Sequence, residues 1–485
     1  MKQYVLAVDQ STQGTKALIL DGSGKVLCRA DRPHRQIVSE NGWVSHDLEE
    51  IYENTLLVAR DAVDRSGIAL EDIACVGISN QRETTAAWDE RTGKPICDAI
   101  VWQCSRAEGI CRRVQDAGYG PMIRQRTGIP ASPYFPAAKM AWILENIPAA
   151  RDAELRFGTI DAWLVYKLTG EYKTDYSNAS RTQLFNILEM KWDEELCAIF
   201  GVKSENLPQV CDSDSMFGMT DLGGLLQEKI PVHAVMGDSH AALFGQGCTA
   251  TGMAKATYGT GSSVMMNVGP APVFSQNGLA TSLAWKHRGE TSYVLEGNIN
   301  YTGAVISWLK DDVKLIESAG ETDKLARQAN PEDRTCLVPA FSGLGAPYWC
   351  NDARALLWGM SRLTGKAEIV RAALECIAFQ ITDVILAMEQ DTGKKMESLR
   401  VDGGPTKNNY LMEFQQGILQ RQVHISQTEE LSACGAGYMA GIAVGLWSED
   451  ILQIVRRSSV VSTMTRSQAE EKRGLWKEAV DMVRK

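Results

Sequence analysis

The chain opens with short apolar runs separated by polar turns. Tyr4 to Val8, Ala17 to Leu20 and Val26 to Ala30 read as three strands. Asp21-Gly22-Ser23-Gly24 between the last two is hairpin turn chemistry. Between the first two lies the polar stretch Asp9-Gln10-Ser11-Thr12-Gln13-Gly14-Thr15-Lys16, read as a loop. Apolar spacing becomes helical from Asp47 to Ser66, behind a capping Asp. Ala74 to Ser79 reads as a buried strand delivering Asn80-Gln81-Arg82-Glu83-Thr84-Thr85 at its carboxyl end. That end is where α/β proteins place ligand residues. Ile100 to Gln103 reads as another strand end, and Ala137 to Asn146 and Gly158 to Leu168 as helices. Thr174 to Thr182 reads as a polar loop.

The middle of the chain pairs two candidate chemical elements. Val235-Met236-Gly237 leads an apolar run into Asp238-Ser239-His240, with a helix expected from Ala241. Ala254 to Tyr258 is a strand that breaks into Gly259-Thr260-Gly261 before a further strand, Ser263 to Val268. The second half thus repeats the strand–polar turn–strand theme of the first. Tyr293 to Leu295 adds a strand and Gly303 starts a helix through Trp308 to Lys310. Leu399 to Val401 runs into Asp402-Gly403-Gly404, followed by a helix from Asn408 to Leu419 and a Gly/Ala-rich one from Ser432 to Gly445. The passage between halves is expected near Gly245-Gln246-Gly247, giving domains 1–246 and 247–485.

Composition narrows the partners. The 485 residues carry a net charge of −10, which argues against nucleic acid or an anionic membrane surface, since both call for a basic face. The longest apolar stretch, Ile369 to Met388, is interrupted by Arg371, Glu375 and Asp383, so no membrane span is expected. Met1-Lys2-Gln3 runs straight into a strand, so no secretory leader is expected. The twelve cysteines include no Cys-x-x-Cys pair and read as small buried residues in a reducing cytoplasm.

Two phosphate-type turns, one at the start of each half, suit a nucleotide held in a cleft. Backbone N–H groups and hydroxyls of Thr12, Gly14 and the Gly-Thr-Gly turn would donate, Lys16 would supply charge, and Asp9 can hold a hydrated Mg²⁺. Asp238 would serve as a base. The same residues also read more plainly, as a helix-capping Asp and glycine turns between strands. Arg82 and Glu83 suit vicinal hydroxyls, or equally a surface ion pair.

Taken together, several stretches resemble the FGGY carbohydrate kinases. They are Gly42 to Val44, Asn80 to Thr85, Ile100 to Gln103, Pro133 to Phe135, Asn178 to Thr182, Ala241 to Gln246, Gly343 to Trp349 and Asp402 to Gly404. The resemblance runs nearly end to end and is strongest to the branch that phosphorylates glycerol. It implies an α/β fold of two actin-like, ribonuclease-H-like domains around a central cleft. It implies ATP and Mg²⁺, with Asp238 as general base and Asp9 and Asp238 as the carboxylates nearest the metal. Thr12, Gln13, Gly14, Lys16 and Thr260 would meet the phosphates, and Gly303, Ser307, Gly404 and Asn408 the rest of the nucleotide. Arg82, Glu83, Trp102, Tyr134, Asp238, Ser239 and Ser263 would line the alcohol site. A small-molecule polyol or sugar is the expected partner, and a homodimer or homotetramer the expected assembly.

Departures from the pattern cluster at the acceptor. Ser239 stands where that branch carries Gln, and Ser263 where it carries Phe. Gln13, Lys16 and Ser307 stand where Thr, Arg and Gln are usual. The expected reaction is therefore ATP-dependent phosphorylation of a terminal hydroxyl, in a pocket enlarged for a four- or five-carbon polyol or ketose. The alternatives are glycerol as acceptor, or a non-catalytic actin-like ATPase.

Overall fold

A computed structural model describes residues 2–484. Its architecture centres on two sheets of similar strand path, of six and seven strands, with further sheets beside them. In the first half, β1 (Tyr4–Gln10), β2 (Gly14–Leu20) and β3 (Val26–Pro33) form an antiparallel meander. β4 (Ile73–Asn80) adds parallel to β1, β6 (Ile230–Gly237) parallel to β4, and β5 (Met216–Thr220) closes the edge antiparallel. The order is β5-β6-β4-β1-β2-β3.

The second half repeats this path. β7 (Ala254–Tyr258), β8 (Ser262–Gly269) and β10 (Glu290–Ile299) are antiparallel, with β9 (Ala280–His287) outside β10. β11 (Ser398–Asp402) and β12 (Gln422–Ser426) add parallel on the other side of β7, and β13 (Arg457–Ser459) is an antiparallel edge. Each half thus puts a tight strand-to-strand turn at the middle of its sheet. The carboxyl ends of its parallel strands lie beside that turn.

Two expected loops proved to be mostly regular structure, with many of their polar side chains buried. Most of Asp9 to Lys16 is ladder: Asp9 pairs with Lys16 and Gln10 with Thr15, leaving only Ser11 to Gln13 as turn. Thr174 to Thr182 is not a solvent loop. It contains a short strand, Lys173–Asp175, and a helical turn, Tyr176–Ala179, whose polar side chains are buried and bonded internally. Strand Leu155–Thr159 occupies the start of the expected Gly158 helix, which begins at Ile160 instead. Of the Ile100 to Gln103 stretch only Ile100 is strand, as the end of Ala99–Ile100.

Helix α1 (Leu48–Ser66) packs its apolar stripe on one face of the first sheet, capped by the Asp47 carboxylate. The other face is covered by α2 (Asp238–Gly245) and α5 (Leu431–Ala443), which share one core with the second sheet's Met265, Ala284 and Val294. α3 (Lys366–Thr392) and α4 (Asn409–Leu419) cover the second sheet. The Gly/Ala run of α5 lets it sit almost on the α2 backbone: a Cβ at Gly435 would stand 1.8 Å from the Ala241 carbonyl oxygen. Among the described residues no helix is long and apolar enough to cross a membrane. All twelve cysteines are unpaired, and only Cys28, Cys97, Cys211 and Cys350 are not fully buried.

Because that contact is backbone against backbone, it cannot relax by a rotamer change. Gly435→Val is expected to cost about 3 kcal/mol or more through overpacking. Denaturant unfolding of the purified variant checks this, and an unchanged midpoint would contradict the packing described.

Candidate active site

The cleft between the sheets is organised around the end of β6. Helix α2 starts at Asp238 itself, not at the expected Ala241. Asp238 Oδ1 accepts the Ser239 N–H at 2.6 Å and lies 3.1 Å from Arg82 Nε. No donor among the described residues reaches Oδ2. Gly237 has an ordinary φ of −59°, so it supplies no sharp turn. It supplies room instead, because a Cβ there would stand 2.6 Å from the Arg82 side chain.

Arg82 and Glu83 are not a surface pair. Arg82 donates from both Nη atoms to Glu296, at 2.9 and 2.8 Å. Arg181 donates to the same carboxylate at 2.5 Å and from Nε to Glu83. Ser263 Oγ donates to Glu296 Oε1 at 3.0 Å. Arg82, Glu83, Arg181 and Glu296 are each 6% exposed or less, so these charges balance one another out of water. Burial alone would raise the Glu296 carboxyl. Arg181 and Arg82 outweigh that and hold it well below the usual carboxylate range. Glu83 sits at φ +60°, a left-handed conformation that costs a non-glycine residue energy and recurs at functional sites.

Trp102 and Tyr134 form the aromatic side of this site, with ring centroids 5.3 Å apart. Trp102 Nε1 donates to Thr12 Oγ1 at 2.9 Å, tying the first turn to the aromatic wall. The Tyr134 loop is held from beneath by Lys139. Its Nζ donates to the Pro133 and Tyr134 carbonyls at 2.6 Å each and to that of Phe135 at 3.4 Å. Burial pushes the Lys139 ammonium down to about 7. Ser239 and Ser263 are half-buried and leave no large side chain at their positions.

The phosphate-turn candidates lie at matching places in the two sheets. Asp9, at the end of β1, accepts from Ser79 Oγ. Burial raises its carboxyl to about 6, against the lowering pull of Lys16 and that hydrogen bond. Lys16 Nζ is paired with Glu430 at 2.8 Å, a partner that sequence reasoning missed. Gln13 is exposed. In the second turn the Gly259 and Thr260 carbonyls accept the Gly303 and Ala304 N–H groups at 2.9 and 3.0 Å. Gly303 therefore lies against the turn with its N–H already used. Ser307 and Gly404 are exposed, and nothing lies within 4 Å of where a Gly404 Cβ would point. Asn408 caps α4 through Leu411 N–H and donates to Thr322 Oγ1, both at 2.9 Å.

Sequence reasoning assigned no role to Arg181, Glu296, Lys255 or His240. Lys255 is fully buried in β7, 3.0 Å from Thr257 Oγ1, which donates to Asp402. His240 is buried, and its Nδ1 has no hydrogen-bond partner among the described residues. The available signal was a charged residue inside an otherwise apolar strand run, as at Lys255 and Glu296. Among the described residues no cluster of three His, Cys, Asp or Glu could hold a metal by itself.

Removing the Lys139 ammonium would leave its carbonyl acceptors buried and unpaired. Lys139→Met is expected to cost about 3 kcal/mol of stability. Thermal unfolding checks it, and a variant as stable as the parent would contradict this account of the Tyr134 loop.

Comparison with known proteins bears directly on this cleft. Residues 4–245 match the model of the FGGY family of carbohydrate kinases, N-terminal domain, and residues 254–444 match its C-terminal domain. Glycerol kinase 2 of Thermotoga maritima is 44% identical over 491 residues, covering 99% of this chain and 98% of that protein. The glycerol kinase of Caldanaerobacter subterraneus subsp. tengcongensis is 44% identical over 495 residues, covering 100% of this chain and 99% of the relative. Among solved structures, Plasmodium falciparum glycerol kinase with ADP superposes with a TM-score of 0.92 at 33% identity, over 99% of this chain and 98% of that one. The xylulose kinase of Lactobacillus acidophilus shares the fold, with a TM-score of 0.89 at 21% identity over 99% of this chain and 97% of that one. With both halves of the family matched in order across a cleft of this construction, the chain belongs to the FGGY family of carbohydrate kinases.

Proposed function

We propose that this carbohydrate kinase transfers the γ-phosphoryl group of ATP to the terminal hydroxyl of a polyol or sugar. In this reading the halves divided at 246/247 act as domains that close on the two substrates. The observation that carries it is Asp238, half-exposed at the cleft, with Oδ1 fixed by Ser239 N–H and Arg82 and Oδ2 left for an acceptor. An alcohol is a weak nucleophile, so a carboxylate within hydrogen-bond reach must accept its proton as the bond to phosphorus forms. The γ-phosphorus–oxygen bond to ADP breaks in the same transfer, and the proton stays on Asp238. Arg82, Glu83, Trp102 and Tyr134 orient the acceptor. Thr12, Gln13, Gly14, Lys16 and Thr260 hold the phosphates, with Lys16 exchanging Glu430 for phosphate oxygen. Gly303, Ser307, Gly404 and Asn408 border the remainder of the nucleotide.

The residues present fit Mg²⁺. It prefers one or two carboxylates together with waters and substrate phosphates to a full protein cage. Asp9 offers a buried carboxylate beside the first turn, with Asp238 two strands away at the end of the same sheet. Bound there, Mg²⁺ neutralises charge on the phosphates. The unpaired cysteines support a reducing, cytoplasmic setting.

Ser239 and Ser263 support an acceptor longer than glycerol. Of their two hydroxyls, that of Ser263 is already spent on Glu296, so the gain there is space more than hydrogen bonding. A small triol leaves that space to water and loses packing, at about 2 to 3 kcal/mol by analogy with large-to-small changes. Glycerol is the second reading, favoured by the names of relatives 44% identical. Values of kcat/KM for glycerol, erythritol, xylitol, ribitol and xylulose decide between them. A four- or five-carbon acceptor is expected to lead, and glycerol leading by tenfold or more would contradict the enlarged pocket.

A further inference from the structure

Five charged residues meet at the cleft floor: Arg82, Glu83, Arg181, Asp238 and Glu296. Four come from the first half of the chain, and only Glu296, on β10, comes from the second. Its carboxylate is fully subscribed. Oε1 accepts from an Arg82 Nη and from Ser263 Oγ; Oε2 accepts from the other Arg82 Nη and from Arg181. With no exposed surface on its side chain and four donors in place, it has nothing left to offer an acceptor. Its effect falls on Arg82.

A guanidinium is a rigid planar fork. The two bonds to Glu296 use one N–H of each Arg82 Nη and fix the plane and direction of the fork; so held, its Nε lies 3.1 Å from Asp238 Oδ1, and no hydrogen bond from Arg82 to Oδ2 forms. An Arg82 released from Glu296 would turn the fork onto Asp238. Bidentate pairing is the favoured arginine–carboxylate geometry. It would cover Oδ2, the oxygen assigned to the acceptor's proton.

Resting on the kinase reading above, we propose that Glu296 is a positioning residue for phosphoryl transfer. It reaches across the cleft to hold Arg82 away from a bidentate grip on Asp238, so that the base is free only when the two halves stand at this spacing. This links the approach of the halves to the readiness of the base through one carboxylate.

The test compares wild type with Glu296→Gln and Glu296→Asp, using MgATP and the best acceptor of the series. Glu296→Gln should lower kcat about 1,000-fold, within the scale of general-base loss, with KM for ATP and calorimetric affinity for ADP within threefold of wild type. Glu296→Asp keeps the buried charge balance but draws the carboxylate back by one methylene. It should fold as wild type and lose tenfold or more in kcat while retaining at least tenfold more than Glu296→Gln. The Asp variant alone is decisive if the Gln variant does not fold. A loss below tenfold in Glu296→Asp would overturn the proposal. So would equal losses of ADP affinity and kcat, the mark of a merely structural role. Failure of the underlying reading shows separately, as a wild type without acceptor-dependent turnover or an Asp238→Asn variant keeping more than a third of it. Either result removes the proposal as well.

Discussion

The floor of the cleft holds charges that are almost all out of reach of water, and the rest of the structure depends on their balance. Arg82 and Arg181 face Glu83, Glu296 and the half-exposed Asp238. Taking such groups out of water costs several kcal/mol per ion unless each is paired and hydrogen-bonded. Every member here has at least one charged partner, so the cluster is tolerable only as a unit. That couples residues far apart in the chain: Arg82 and Glu296 are separated by 214 positions. A change at any one of them is felt by the others as an unpaired buried charge.

The fold serves this arrangement by duplication. Two sheets of similar strand path each present a tight central turn beside the carboxyl ends of parallel strands. Brought face to face, they set two phosphate-type turns and several strand ends around one cleft. Helices α2 and α5 fill the space between the sheets, and their glycines allow backbone-to-backbone approach. Asp238 is the first residue of one of these helices, so the position of the proposed base is tied to the packing that joins the halves.

Much of this was legible in the chain itself. Apolar runs marked β1, β4, β6, β7 and β11, and helical spacing with a capping Asp marked α1. The glycine-rich breaks after β1 and β7 marked the turns. What could not be read were long-range partners. Polar residues from Asp9 to Lys16 suggested a loop, yet Asp9, Gln10 and Thr15 are buried in a strand ladder that satisfies the backbone. Thr174 to Thr182 looked solvent-facing for the same reason. Its carboxylate, Asp175, accepts from Ser177, Asn178 and Ser213 inside the protein. Arg181 carried no local mark of its role, and Glu296 only that of a charge in an apolar strand, because each is explained by a partner in another part of the chain. Lys16 was readable as a cation but not as the partner of Glu430.

The central claim is that this cleft transfers phosphate to an alcohol and does not merely hold a nucleotide. ATP turnover by the purified protein with Mg²⁺, measured with and without saturating polyol, tests it most directly. The account predicts ADP release at least 100-fold faster with acceptor present, matched one for one by phosphorylated polyol, on the scale that a positioned base supplies. Turnover of the same rate with and without acceptor would contradict it.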